Sequence, residues 1–221
     1  LSGCYLCYRP SVVAPTVSPA PALTNRYVTF GSFNNLAKVT PTVVGLWAEI
    51  LRVLPAARLL LKDQSLADEG QQTRFRSLFA KEGVSADRIE FIPLIADPSE
   101  HLACYSRVDI GLDPFPYNGC TTTCEALWMG VPVITLAGNM SHGRYGVSLL
   151  SAVKLEEFIA ATPPEYVVKS VSLANDLKHL AGLRSALRRR MAAAPLCDAT
   201  AFAQKVEQAY RLMWRRWCAK S

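Results

Sequence analysis

The sequence predicts an α/β fold, a Rossmann-like doubly wound parallel sheet followed by a helical C-terminal extension. Three observations carry this. Short β-prone runs recur with centres near residues 29, 60, 91, 110 and 134. Helical patterns with recognisable starts and stops fill the intervals, which is the order of consecutive βαβ units. From Arg144 onward the pattern reads as helical, with no further strand.

Each element has a local reason. Pro10, Pro15, Pro19 and Pro21 fall within twelve positions, so residues 10–25 read as an extended linker that is not packed, and a boundary is expected near 26. Residues 27–30 form the first strand-like run. Thr40-Pro41 opens a helix, threonine as N-cap and proline at the first helical position. Val43, Trp47, Ile50 and Leu54 share one face of it, and Pro55 blocks its continuation. Residues 58–62 are the second apolar run. A helix over 68–82 presents Phe75, Leu78 and Phe79 on one side and stops at Gly83. Residues 89–93 give the third strand. Asp97-Pro98-Ser99-Glu100 has the spacing of a capping box and starts a short helix. Residues 108–112 are the fourth strand. Thr122-Thr123-Cys124-Glu125 reads as a second capping box, with a helix running to Met129. Residues 133–136 are the fifth strand. Phe202, Val206, Tyr210, Met213 and Trp217 make an apolar stripe along a long last helix. There is no internal repeat.

Composition narrows the classes of function. Of 221 residues, 50% are hydrophobic and 19% charged, enough apolar material for a large core and too much for a disordered chain. No run of 18 apolar residues exists, so no membrane span is expected. Lys and Arg number 24 against 18 Asp and Glu, a net charge of +6. Much of the excess lies in Arg188-Arg189-Arg190 and Arg215-Arg216, which read as solvated helix faces, so no nucleic-acid partner is expected. Seven cysteines are an odd number, and Cys4-Tyr5-Leu6-Cys7 is a CxxC without a second pair. They predict no disulfide framework, no zinc site, and a reducing, cytoplasmic setting. The chain begins at Leu1, which reads as a fragment, and residues 1–9 lack the charged and apolar regions of a signal peptide.

In open α/β sheets, ligands bind beyond the carboxyl ends of the strands. Three loops qualify by composition. The first follows strand one, residues 30–38. Gly31 permits close approach of a ligand, Asn34, Asn35 and Lys38 supply donors, and Lys38 can meet a phosphate as a point charge. An ordinary polar loop with a solvated lysine is the alternative. The second follows strand four, residues 113–125. Pro114 and Pro116 fix it, Gly119 permits a tight turn, and Thr121, Thr122 and Thr123 lead into a helix. Unpaired N–H groups at a helix N-terminus, with hydroxyls beside them, form an anion site. Glu125 lies one turn in, where it either caps the helix or reaches the hydroxyls of a ribose. The third loop, residues 138–144, carries His142 and Arg144 to the same edge, and His101 stands near a helix start. No metal site is expected: Asp109 and Asp113 do not form an Asp-x-Asp pair.

Taken together, these loops resemble the C-terminal catalytic half of the protein O-linked N-acetylglucosamine transferases and, equally, their SPINDLY relatives, which use GDP-fucose. The resemblance runs through residues 30–41, Glu100-His101, residues 113–123, 127–132 and 146–150, Pro195-Leu196 and residues 210–214, covering about 26–218. It implies the C-terminal lobe of a two-lobed GT-B glycosyltransferase. Residues 1–25 would be a linker or a remnant of the preceding lobe. Residues 26–197 would be the nucleotide-sugar-binding lobe, and residues 198–221 a helix packing toward the preceding lobe. By matching position, Asn35 and Lys38 would contact the donor diphosphate, with Lys38 stabilising it as it leaves. His101 would lie near the nucleotide, Thr121 and Thr122 would bind phosphates, and Glu125 would hold the ribose. Cys120 and Arg144 would complete the donor site, without a metal or another cofactor.

Two departures bear on the sugar and the base. The N-acetylglucosamine transferases have His where this chain has Cys120 and Asp where it has Glu125. SPINDLY proteins carry Thr and Glu there, which tilts toward fucose, whereas Arg144 matches the N-acetylglucosamine branch. The expectation is an inverting, metal-independent transfer from UDP-GlcNAc to Ser or Thr of a protein, with the preceding lobe and helical repeats as partners. GDP-fucose transfer is one alternative, and a degenerate nucleotide-binding module is another. The intact set of Lys38, Thr121, Thr122 and Glu125 favours an enzyme.

Overall fold

The computed structural model describes residues 4–219. In chain order the main elements are α1 (Ala22–Asn25), β1 (Thr29–Ser32), α2 (Pro41–Val53), β2 (Arg58–Lys62), α3 (Glu69–Lys81), β3 (Ile89–Ile92), α4 (Pro98–Ala103), β4 (Ile110–Leu112), α5 (Thr121–Trp128), β5 (Val133–Leu136), α6 (Tyr145–Ala152), β6 (Ile159–Ala160), α7 (Pro163–Asn175), α8 (Leu177–Ala192) and α9 (Ala199–Cys218). Among the described residues the strands form one parallel sheet in the order β3-β2-β1-β4-β5-β6. Chain direction across the sheet reverses between β1 and β4, so the loops leaving those two strands open a crevice at the carboxyl edge.

The strands are short and almost wholly apolar because helices cover both faces. Phe30, Leu59, Leu61, Ile110 and Ile134 are fully buried in the sheet. On α2 the expected face is buried: Val43, Trp47 and Ile50 are each 0% exposed. The Thr40 hydroxyl accepts from the Val43 amide, capping the helix as its sequence predicts. α3 ends before Gly83, whose φ of 78° is a conformation that other residues adopt only with strain. The Asp97 carboxylate accepts from the Glu100 amide and caps α4.

Three expectations are corrected. The region after Arg144 is not wholly helical, because Ile159 and Ala160 pair with Thr135 and Leu136 as β6. A two-residue edge strand is too short to leave a periodic signal. Residues 10–25 are not an unpacked linker. Arg184, 1% exposed, donates to the Ser18 carbonyl and hydroxyl and also to the Val108 and Tyr105 carbonyls. Arg188 donates to the Pro15 carbonyl, and Ala20 and Ala22 are buried. The prolines set an extended backbone, and two arginines of α8 bind it to the lobe. Finally, α5 does not begin with a capping box at Thr122. Its N-cap lies two residues earlier, at Cys120, which makes no side-chain cap.

The stripe on α9 is half-buried at Phe202 and Val206 and exposed from Tyr210 onward. No residue of that helix is buried, and Tyr210, Met213, Trp214 and Trp217 are all more than half exposed. Among the described residues no helix is long and apolar enough to cross a membrane.

Candidate functional site

The crevice gathers the loop after β1, the loop between β4 and α5, and the first turn of α5. Because Cys120 provides no side-chain cap, the first-turn amides of α5 keep their donors directed out of the helix end. Thr122 cannot act as the cap from the second helical position. Its hydroxyl instead donates to Asn34 Oδ1 at 2.9 Å, joining α5 to the first loop. Asn34 is buried and donates in turn to the Ser32 hydroxyl. Thr121 is exposed at the first position of the helix.

Lys38 stands opposite this helix end. Its Nζ donates to the Asn118 carbonyl at 3.0 Å and lies 4.4 Å from the centre of the Tyr117 ring. Burial lowers the Lys38 ammonium from its usual value, while the Asp113 carboxylate acts the other way. Asn118, itself fully buried, holds the loop through every polar group it has. Its amide donates to the His142 carbonyl, its Nδ2 to the Pro114 carbonyl, and its Oδ1 accepts from the Gly146 amide. Asp113 lies beneath. Its carboxylate accepts from the Gly119 amide and the Thr135 hydroxyl, each at 2.6 Å. Burial pushes it up to about 7, against those two hydrogen bonds and Lys38. Gly119 has no room for a side chain: a Cβ there would stand 2.7 Å from Thr123 Oγ1 and 2.8 Å from Asn34 Oδ1.

A second group forms the far side of the crevice. His101 Nε2 is 3.0 Å from Glu125 Oε2, and His101 Nδ1 is 2.7 Å from Lys62 Nζ. The Tyr105 hydroxyl donates to the Thr122 carbonyl and approaches Glu125 Oε2 at 3.4 Å. At the mouth, the Tyr5 hydroxyl is 3.0 Å from Cys120 Sγ, and its ring stacks on Tyr145.

The sequence-derived candidates therefore divide. Lys38, Cys120, Thr121 and Thr122 meet around one helix end, and His101 and Glu125 meet beside it. Asn35 faces solvent, and its Oδ1 caps its own turn by accepting from the Ala37 amide, which leaves Nδ2 as its donor. Arg144 is exposed and donates to the Gly138 carbonyl, apart from the α5 cluster. Lys62, Tyr105 and Asn118 were not singled out. For Lys62 a signal existed, a lone charge closing the apolar run of β2 at the carboxyl edge of the sheet. Among the described residues no three His, Cys, Asp or Glu side chains are placed to hold a metal ion. None of the seven cysteines is in a disulfide.

The arrangement has counterparts among known proteins. Sucrose-phosphate synthase from Thermosynechococcus elongatus superposes with a TM-score of 0.64 over 95% of this chain and 52% of that one, at 19% identity, a likeness of fold alone. A K341M variant of the Thermobaculum terrenum O-GlcNAc transferase superposes with a TM-score of 0.92 at 39% identity, over 100% of this chain and 41% of that one. The class is that of a GT-B glycosyltransferase lobe, with its helical end as expected. The chain belongs to glycosyl transferase family 41, whose profile matches residues 10–206. The protein named "Probable UDP-N-acetylglucosamine--peptide N-acetylglucosaminyltransferase SPINDLY" from Petunia hybrida is 48% identical over 218 residues, 99% of this chain. The Arabidopsis thaliana relative named SEC, of the same printed activity, is 36% identical over 191 residues, 86% of this chain. The chain spans about a fifth to a quarter of the length of these curated relatives, 23% and 19% respectively.

Proposed function

We propose that this chain is the donor-binding lobe of a protein O-glycosyltransferase, which binds UDP-GlcNAc and transfers its sugar with inversion to Ser or Thr of a protein. The observation that carries the reading is the uncapped N-terminus of α5 facing Lys38 across the crevice. As the bond from the sugar to the diphosphate breaks, its electron pair moves onto the diphosphate oxygen. Lys38, the first-turn amides, Thr122's among them, and the Thr121 hydroxyl oppose that charge where it develops, the role a metal ion would otherwise take, while the Thr122 hydroxyl stays on Asn34. Asn35 Nδ2 and Cys120 would flank the diphosphate, His101 and Glu125 would take the nucleoside end, and Arg144 would close the rim. The attacking hydroxyl is the acceptor's own Ser or Thr, and the groove that holds it, with the base, would lie on the preceding lobe. On this reading residues 26–197 are the donor lobe, and α9 presents its apolar stripe to that preceding lobe. The setting is the cytoplasm, in keeping with seven unpaired thiols.

A GDP-fucose donor is the second reading. Glu125 favours it, because the resemblance to the SPINDLY branch places a glutamate at that position. Calorimetric titration of the chain with UDP-GlcNAc and GDP-fucose, with and without EDTA, separates the two. The expected result is binding of UDP-GlcNAc, unaffected by chelation. Preference for GDP-fucose would transfer the assignment to the second reading, and a large loss with EDTA would end the metal-independent one.

A further inference from the structure

One buried cation lies outside the groups given a role above. Lys62 closes β2 at the carboxyl edge of the sheet and is 5% exposed. Burial lowers its ammonium from the usual value, and nearby Glu125 and Asp63 are among the charges that oppose this. Its Nζ lies 2.7 Å from His101 Nδ1. An ammonium has donors and no acceptor, so Nδ1 must accept. The neutral ring then carries its proton on Nε2, which faces Glu125 Oε2 at 3.0 Å. The Tyr105 hydroxyl, which donates to the Thr122 carbonyl at 3.1 Å, lies 3.4 Å from the same Oε2, and burial and Glu125 keep the phenol neutral. Among the described residues both contacts fall on Oε2 and none on Oε1. Oε1 is thus left to accept from a ligand, on a side chain that is 19% exposed.

Chain length at position 125 matters to this arrangement. An aspartate would be shorter by one carbon–carbon bond, about 1.5 Å. It would fall out of hydrogen-bond range of His101 unless α4 or α5 moved. Glutamate is the residue that spans from α5 to a histidine held on α4.

We propose that Lys62 is a positioning residue for the nucleoside end of the donor site: it fixes His101 as the Nε2–H tautomer, and His101 holds Glu125 with Oε1 presented to the ribose hydroxyls. This rests on the donor-site reading above. It also gives His101 a role distinct from reading the base, since its Nε2–H is committed to Glu125.

The test uses the 221-residue chain with Lys62→Met and Lys62→Arg. Nitrogen-15 spectra of its three histidines report the tautomer of His101 directly. Binding of UDP and GDP is compared with that of their 2′,3′-dideoxy forms, and thermal melts show that each variant is folded. The wild type is expected to hold His101 as Nε2–H and to prefer the ribose form of the bound nucleotide about tenfold, or roughly 1.4 kcal/mol. Lys62→Met should release the tautomer and reduce the preference below about threefold, with dideoxy binding unchanged, and Lys62→Arg should restore both. An unchanged tautomer and an unchanged ribose preference in folded Lys62→Met would overturn the proposal. If the wild type binds neither nucleotide, the donor-site reading fails, while the tautomer spectrum still decides whether Lys62 holds His101.

Discussion

Lys38 is the residue on which the chemistry turns. It is held ready by the Asn118 carbonyl and the Tyr117 ring, and it faces a helix end whose own charge has the same sign. Such an interaction strengthens as the leaving group gains charge, so its loss should appear in the chemical step more than in ground-state binding. In the complete enzyme, Lys38→Ala is expected to lower kcat by about 10²–10³-fold with a much smaller rise in donor KM. Steady-state kinetics check this, and a raised KM at unchanged kcat would contradict the role. Asp113 gives a second residue-scale prediction. Its carboxyl sits at about 7 in the fold, raised by burial, against about 4 in an unfolded chain. Folding therefore favours the neutral acid. The stability this contributes is present in full below pH 4 and is lost as the pH rises through 7, up to roughly 4 kcal/mol. Asp113→Asn keeps an acceptor for the Gly119 amide and removes the ionisation. Thermal melts from pH 4 to 8 should show a flatter profile for the variant than for the wild type, and parallel profiles would refute it.

Among the elements, the α5 start shows what a sequence can and cannot disclose. The Thr-rich run marks a helix N-terminus from composition alone. Thr122-Thr123-Cys124-Glu125 has the spacing of a capping box, yet the helix begins at Thr121, because the Thr122 hydroxyl finds Asn34 from another strand's loop and Glu125 finds His101. Local pattern gives the helix, and partners distant in sequence decide where it starts. The donor candidates Lys38, Thr121, Thr122 and Glu125 were legible because each stands at a strand's carboxyl end or a helix start. Asn118 and Tyr105 were not, because their roles depend on what packs above them. The segment before α1 makes the same point. Prolines predicted its extended backbone, but its packing depends on Arg184, more than 160 residues away. Arg184→Met leaves the Ser18, Val108 and Tyr105 carbonyls without their buried donor. Leaving a buried acceptor without its donor costs about 1–3 kcal/mol for each group. Limited proteolysis should then cut within residues 10–20 faster than in the wild type, at a lowered melting temperature. Equal cleavage rates and equal melts would show that the segment is held by other contacts.

At the scale of the whole molecule, the strand order places every candidate at one edge. β1 and β4 lie side by side although roughly 80 residues separate them, and that adjacency brings Lys38 within reach of α5. The βαβ alternation predicted the fold class, and β6 escaped it because two residues at a sheet edge carry no period. The second half of α9 carries Tyr210, Met213, Trp214 and Trp217 largely exposed, an apolar surface of the kind that marks an interface. The central claim is that the crevice at the α5 N-terminus binds the diphosphate of a nucleotide. Heat protection by UDP and GDP, set against uridine and guanosine, tests it most directly. One diphosphate at about 100 times its Kd should stabilise the chain by about 2.7 kcal/mol, the matching nucleoside should give little, and Lys38→Ala should remove most of the difference. Equal protection by nucleoside and diphosphate, or none from either diphosphate at millimolar concentration, would contradict the account.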